Sequence, residues 1–476
     1  MNLSPDDDKP IREALFQFIF PFSLARHAQN KLIPQLTAAG FEPFRLDHLE
    51  LENRYYGDHF VSHHRMERYY LPFTGQVLFP AAGHPDAFRR LSKSLDGMNA
   101  DLVVANGSYP FTVHSADVVL CPYDTGFVTL RVELKPHGLT LTDAIEFADR
   151  MRAMENISTA DHCASIRYLG QRYEETEDLL FRVIVPELLP CLDRMPMEGT
   201  YFEKLPFLMD ERMFVIGFYA VPENAEIGLE DRYRVARLDG LGQDGLPHLD
   251  ANHRPYIEEY CRRYGYDRWA PDTYYITDED CFCCLTRLDA QRSSRLASLM
   301  YGEHYYGLLL NLFHRIVLLK LSYAYSRVQI ERKPDETEAL IGDITSFSAK
   351  YYFLEAVAQT NGRELFYRLR SAYGNDELFE DVKQTLTDLY KYQDDRTSKR
   401  SSHLLTILTI YSVISGIYGM NQVIEDLEAP VRWQAMDGYS AFQWIALGVV
   451  LSGLVVSAAL AAGILWRTVA DYARRK

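Results

Sequence analysis

The sequence has no basic leader, no regular cysteine framework and no surplus of positive charge, and each absence closes a class of function. Met1 to Pro10 is acidic where a secretory leader needs lysine or arginine. The apolar run that follows, Ala14 to Leu24, holds Gln17 and Pro21, so it is expected as a first strand. Seven cysteines (121, 163, 191, 261, 281, 283, 284), odd in number, read as reduced thiols of a cytosolic compartment and not as disulfides. The net charge is −16, and such an acidic balance disfavours nucleic-acid backbones, which are bound by Lys and Arg that displace counterions. The glycine-rich stretch Leu238 to Gly245 lacks a Gly-Lys-Ser/Thr and reads as a loop, not a phosphate cradle. No nucleophile with a suitably spaced base stands out, so the chain is not expected to be an enzyme.

What is present is an ordinary globular composition, 47% hydrophobic and 24% charged, over 476 residues, enough for two or three folding units. Charge is unevenly spread. From Arg396 onward eight Lys/Arg stand against five Asp/Glu, which leaves −19 on residues 1 to 395. In that last part lie two long uncharged runs, the 24 residues Ser401 to Ile424 and the 29 residues Gly438 to Trp466. About 20 apolar residues cross a 30 Å hydrocarbon core, so both are expected to span a membrane. A third run, His304 to His314, is short and bounded by Glu303 and Arg315, and is expected as a buried helix.

Basic residues Arg396, Lys399 and Arg400 precede the first span and Arg467, Arg474, Arg475 and Lys476 follow the second, which puts both chain ends in the cytoplasm of a cell with an inner, plasma membrane. The connecting segment carries Glu425, Asp426 and Glu428, and cations arriving from outside meet that charge first. Two helices cannot wall a water-filled path, so transport requires several chains. Small residues in the second span suit close packing, whereas the polar positions of the first, Thr406, Thr409, Ser412, Ser415 and Asn421, suit a pore wall or hydroxyls bonded back onto a plain anchor helix.

The first span ends Ile414-Ser415-Gly416-Ile417-Tyr418-Gly419-Met420-Asn421, and with the acidic loop, second span and basic tail it resembles the CorA family of magnesium channels over residues 376 to 476. A second Gly-Met-Asn, at Gly97-Met98-Asn99, lies far from either span and is expected as an ordinary turn. The resemblance implies a homopentamer in a lipid bilayer, with Gly419, Met420 and Asn421 as the filter and Leu405, Thr409 and Ser412 along the pore. It implies Mg²⁺ both as the ion carried and as a regulator held by carboxylates, for which Asp388, Asp394 and Asp395 are candidates beside Glu377, Glu380 and Asp381; solvated charges are the alternative for each. The chain departs from the family pattern at Ile410, where a proline is usual, at Thr409, where a bulky apolar residue is usual, and after Asn421, where no Met-Pro-Glu-Leu follows.

Upstream, Phe379, Val382, Leu386 and Leu389 recur at alternating three and four spacing, a heptad seam on one helix expected to run about 45 residues, roughly 68 Å, from Asn375 to Asn421. Two further helices are expected, Ser293 to Arg332 and Glu336 to Ala372, divided at Pro334. Residues 1 to 290 mix periods: a hairpin of Val118 to Cys121 and Val128 to Leu134 around Tyr123-Asp124-Thr125-Gly126, strands at Met213 to Val221 and Tyr274 to Leu285, and helices at Thr142 to Asn156 and Glu174 to Phe181.

The expected organisation is therefore an α/β or α+β cytosolic domain (1–290), a helical stalk (291–400), spans at 401–424 and 438–466 joined by an external acidic loop (425–437), and a basic cytosolic tail (467–476). Two clusters offer metal ligands, His59 with His63 and His64, and Cys281 with Cys283 and Cys284; neither has the second pair of a zinc site, and surface imidazoles and buried thiols are the competing expectation. The functional expectation is passive, potential-driven entry of a divalent cation, Mg²⁺ first and zinc or another divalent as an alternative. The rivals are a channel opened by a cytosolic small molecule such as a nucleotide messenger, and a membrane-anchored enzyme without a pore.

Overall fold

The computed structural model describes residues 8–81, 86–105, 107–135, 138–155, 164–197, 205–242, 244–327, 334–422 and scattered positions between 440 and 455. The chain divides into two compact units, Met1–Thr385 and Leu386–Lys476.

The first unit is built on one mixed sheet. Its elements in chain order are β1 (Glu13–Ser23), α1 (Gln29–Ala38), β2 (Glu42–Pro43), α2 (His63–Tyr69), α3 (Pro72–Leu78), β3 (Arg89–Val104), β4 (Gly107–Cys121), β5 (Thr125–Leu134), α4 (Leu141–Arg152), β6 (Ser165–Tyr168), β7 (Gln171–Tyr173) and α5 (Thr176–Leu179). There follow β8 (Phe214–Ala220), α6 (Leu229–Arg237), α7 (Arg254–Tyr264), β9 (Gly265–Trp269), β10 (Thr273–Thr277), β11 (Cys281–Thr286), α8 (Ala290–Tyr301), α9 (Glu303–Arg327), α10 (Pro334–Lys350) and α11 (Thr360–Ala372), and then α12 (Asn375–Gln422), of which only the part up to Thr385 belongs to this unit. The strand order is β7-β6-β3-β4-β5-β1-β8-β11-β10-β9, with β2 on β3. Every pairing is antiparallel except β8 with β11. The class is α+β.

Side-chain alternation sets the two faces. In β1, Ala14, Phe16, Phe18, Phe20 and Phe22 enter the main core, where Phe147 of α4 packs against Phe16 and Phe18. The opposite face carries Gln17, whose amide donates to the Met300 carbonyl of α8 at 2.9 Å. Two register shifts keep this pattern in phase. In β3, between Ser94 and Met98, Gly97 takes φ +80°, and Leu91 and Met98 thereby share one core although the offset between their positions is odd. The upstream Gly-Met-Asn is thus a bulge inside a strand, not the expected turn. In β4 the shift falls between Val113 and Ser115.

Other expectations need correction. The strand expected from Tyr274 to Leu285 is two strands, β10 and β11, turning at Asp278 to Asp280. The helix expected from Ser293 to Arg332 breaks at Gly302 into α8 and α9. The helix expected from Glu336 to Ala372 is α10 and α11, separated by 351–359, and Pro334 occupies the first position of α10. The helix expected at Glu174 to Phe181 is α5, continued by a wider π turn over Leu180–Ile184.

Helix α9 is buried on all sides from His304 to His314, as that run of the sequence led us to expect, while Leu319 and Tyr323 farther along are exposed. Among the described residues, Ala290–Arg327 alone has the length and mean hydropathy of a membrane span, and two-thirds of its apolar window is enclosed by protein. It is a core helix.

Beneath α9 the sheet holds a buried charge cluster. Asp117 of β4 is fully buried between two guanidiniums, Arg131 at 2.6 Å and Arg90 at 3.0 Å. Arg90 donates to the Tyr306 hydroxyl at 2.9 Å, and Arg131 lies 5.1 Å from the ring centres of both Tyr56 and Tyr305. Removing the single carboxylate would leave two buried cations facing each other. Asp117→Asn is expected to cost about 3–5 kcal/mol, read as a lowered thermal midpoint of the purified chain.

Candidate functional site

Helix α12 starts inside the first unit. Gly374, at φ +60°, turns the chain out of α11, and Asn375 is wholly buried. The Asn375 amide donates to the Asn311 carbonyl of α9 at 3.1 Å, and the Tyr352 hydroxyl donates to the Asn375 carbonyl at 3.1 Å. Arg370 of α11 donates through Nε to the Asp376 carboxylate at 2.6 Å and through Nη2 to the Tyr352 hydroxyl at 2.7 Å. The Tyr352 and Phe379 rings stack with centroids 3.8 Å apart and planes 7° from parallel. Phe379, the first residue of the expected seam, therefore has its partner within its own chain, and Val382 is buried as well.

From there the helix runs without a break to Gln422. All nine positions from 401 to 409 are exposed, including Leu404, Leu405, Ile407 and Leu408. The Thr406 and Thr409 hydroxyls donate to the carbonyls of Ser402 and Leu405, each at 2.8 Å, the back-bonded arrangement that frees them from needing water. Ser412 is exposed. Gly419, Met420 and Asn421 are helical in backbone, and their side chains lie outside the described residues, as do Glu425, Asp426, Glu428 and the tail 467–476. The second expected span, 438–466, lies largely outside them too.

Among the described residues, the carboxylates expected to regulate do not converge. Asp388 is half exposed with Lys391 3.9 Å away, Glu380 pairs with Lys383 at 3.1 Å, Asp394 is exposed, and the Asp395 side chain is outside the described residues. No group of three His, Cys, Asp or Glu among the described residues is placed to hold a metal. His59 faces Glu13 at 3.1 Å, His63 reaches the Leu46 carbonyl at 3.0 Å, and His64 is exposed. Cys281 and Cys283 share one side of β11 with sulfurs 2.8 Å apart, and Cys283 donates to the Val235 carbonyl at 3.4 Å. Burial pushes the Cys283 and Cys284 thiols up, which keeps them neutral.

Sequence reasoning missed a polar cleft of about 480 Å³ in the first unit. The β1–α1 connection supplies Arg26 and His27, α1 supplies Gln29 and Asn30, β3 supplies Arg89, and the β4–β5 turn supplies Tyr123. The far wall is α10 with Asp343 and Ser346, followed by Tyr351. The turn around Tyr123 was legible as a hairpin, but the cleft joins positions more than 300 residues apart and leaves no local signature. In comparisons with known proteins, no family model matches the sequence and no curated protein matches it.

Tyr351 is held from behind by α9. His314 donates through Nε2 to the Tyr351 carbonyl at 2.7 Å and is fully buried, and burial lowers its pKa to about 3. Because the native value lies below the ordinary one near 6.5, the neutral ring stabilises the fold above about pH 6.5, and that contribution is lost as pH falls toward 3. His314→Gln removes the titration while keeping an amide donor. The variant is expected to lose stability less steeply between pH 6.5 and 4, by about 1.4 kcal/mol per pH unit, in melting curves taken across that range.

Proposed function

We propose that the chain is a homopentameric membrane channel for divalent cations, Mg²⁺ foremost, resembling CorA channels and controlled by its N-terminal α+β unit. The observation that carries this reading is α12, one unbroken helix rooted by Asn375, Asp376 and Phe379 in the folded unit and carrying Gly419-Met420-Asn421 in its last turn. Within 401 to 409, Leu404, Leu405, Ile407 and Leu408 are exposed with no cover among the described residues, which supports contact with lipid or with other copies. In this reading the second span is 438–466, both chain ends are cytoplasmic, and the membrane is the inner, plasma membrane.

The chemistry fits a hydrated ion. Mg²⁺ gives up water reluctantly, so a ring of Asn421 amides holds it through its waters, where a carboxylate ring would bind it too tightly for release. Glu425, Asp426 and Glu428 raise the local cation concentration outside. A membrane potential supplies about 2.3 kcal/mol per charge per 100 mV, or roughly 4.6 kcal/mol for a divalent ion moving inward. The back-bonded Thr409 hydroxyl leaves its methyl and the Leu405 side chain to line a narrow, weakly polar stretch of the conduit.

The cleft favours a second reading in which a cytosolic small molecule opens the same pore. The two readings separate in proteoliposomes: flux set by Mg²⁺ alone supports the first, and flux that requires an added organic ligand supports the second. Asn421→Ala is expected to change Mg²⁺ permeation relative to Co²⁺, Ni²⁺ and Zn²⁺ by about tenfold or more. Unchanged permeation of all four ions would remove Asn421 from the filter.

A further inference from the structure

The cleft stands at the start of α1, and its lining points to a particular kind of ligand. Helix α1 is ten residues long, its N-cap is Ala28 with no capping side chain, and its first two residues, Gln29 and Asn30, line the cleft. An uncapped helix start presents amide groups and the positive end of the helix dipole. Arg26 and His27 come immediately before it, and neither is engaged by another side chain among the described residues. Arg89 reaches in from β3, donating through Nη2 to the Gln29 side chain at 2.7 Å, while its buried Nε has no partner. These groups call for an anion.

The lining sets three acidic groups, Asp86, Asp124 and Asp343, against Arg26, Arg89 and Lys350. Asp86 is paired with Lys350 at 3.0 Å, and Asp124 lies in the field of the buried Lys320 ammonium. That leaves Asp343 on α10, where the Tyr123 hydroxyl donates to its backbone carbonyl at 3.2 Å. Tyr123 and Tyr351 meet edge to face with centroids 5.8 Å apart and make an aromatic corner. His27, Tyr123 and Asp124 all hold positive φ, and among the described residues only Leu169 and Leu238 share that state without being glycine. The volume suits a small organic molecule.

The same wall roots α12. Tyr351 lines the cleft, and the next residue, Tyr352, stacks on Phe379 and bonds to Asn375. We propose that the cleft binds a small aromatic molecule bearing a phosphate or carboxylate, and that its occupancy is passed to the first turns of α12 through Tyr351 and Tyr352. Any consequence for ion flux rests on the channel reading; the binding itself does not.

The test uses the full chain in lipid nanodiscs, titrated calorimetrically with adenosine 5′-monophosphate, indole-3-acetate and inorganic phosphate. One aromatic probe is expected to bind at least tenfold more tightly than inorganic phosphate, and whichever it is identifies phosphate or carboxylate as the preferred anion. Arg26→Ala, at an exposed position that leaves the core untouched, is expected to weaken that binding about tenfold or more. Saturation is expected to change hydrogen exchange of the amides at 375–385, and Tyr352→Leu is expected to keep binding while abolishing that change. The proposal is overturned by dissociation constants above about 1 mM for both aromatic probes, by equal binding of inorganic phosphate, or by an Arg26→Ala variant that binds as the parent does. Unaltered exchange at 375–385 under saturation overturns the link to α12. Ion flux measured separately in liposomes keeps the two readings apart, since absent flux with intact binding counts against the channel alone.

Discussion

The helix that carries the proposed pore begins at a residue no water reaches. Asn375 is held by Asn311 of α9, by Tyr352 after α10 and, through Asp376, by Arg370 of α11, so three elements of the first unit fix where α12 starts and which way each of its faces turns. An α-helix without a proline or a break transmits rotation of its first turn to the turns beyond it. A flexible tether at this point would have left the two ends of α12 independent. The buried root ties the first turns of α12 to the first unit.

The root is only as firm as what lies under it, and that is the sheet with α9 on its face. The Asp117 pair with Arg90 and Arg131 sits there, fully desolvated and ringed by Tyr56, Tyr305 and Tyr306. Ion clusters of this kind add little net stability compared with an apolar core, but they tolerate one geometry and reject others. Here the cluster links β3, β4 and β5 to Tyr305 and Tyr306 of α9. The same helix supplies His314 to Tyr351 and Asn311 to Asn375, so one buried element braces both the cleft and the start of α12.

Periodicity made part of this legible in the sequence. The β1 strand, the β4–β5 hairpin and the buried α9 follow from apolar runs and a turn sequence, and the expected start of α12 at Asn375 matches the observed one. The rest was hidden for physical reasons. The Gly97 bulge looks like a turn because a glycine at positive φ serves either, and only the partner strand decides. The break at Gly302 interrupts a hydrophobic pattern that both flanking helices share. The heptad seam at Phe379 left its partner open, and the ring stacks on Tyr352 of the same chain, since spacing gives a face and not the identity of what covers it. The cleft needed the fold itself, because Arg26, Arg89, Tyr123 and Asp343 become neighbours only when β1, β3, β4 and α10 are in place. The proposed filter role of Gly419, Met420 and Asn421 rests on the resemblance to CorA channels and on the helix that leads to them.

The central claim is that several copies of this chain enclose an ion path along α12. The most direct test is single-particle imaging of the full chain in lipid nanodiscs. The account predicts five subunits around an open axis with the Asn421 side chains at one mouth; a monomeric particle, or an assembly whose axis is closed by packed side chains along its whole length in every condition, would contradict it.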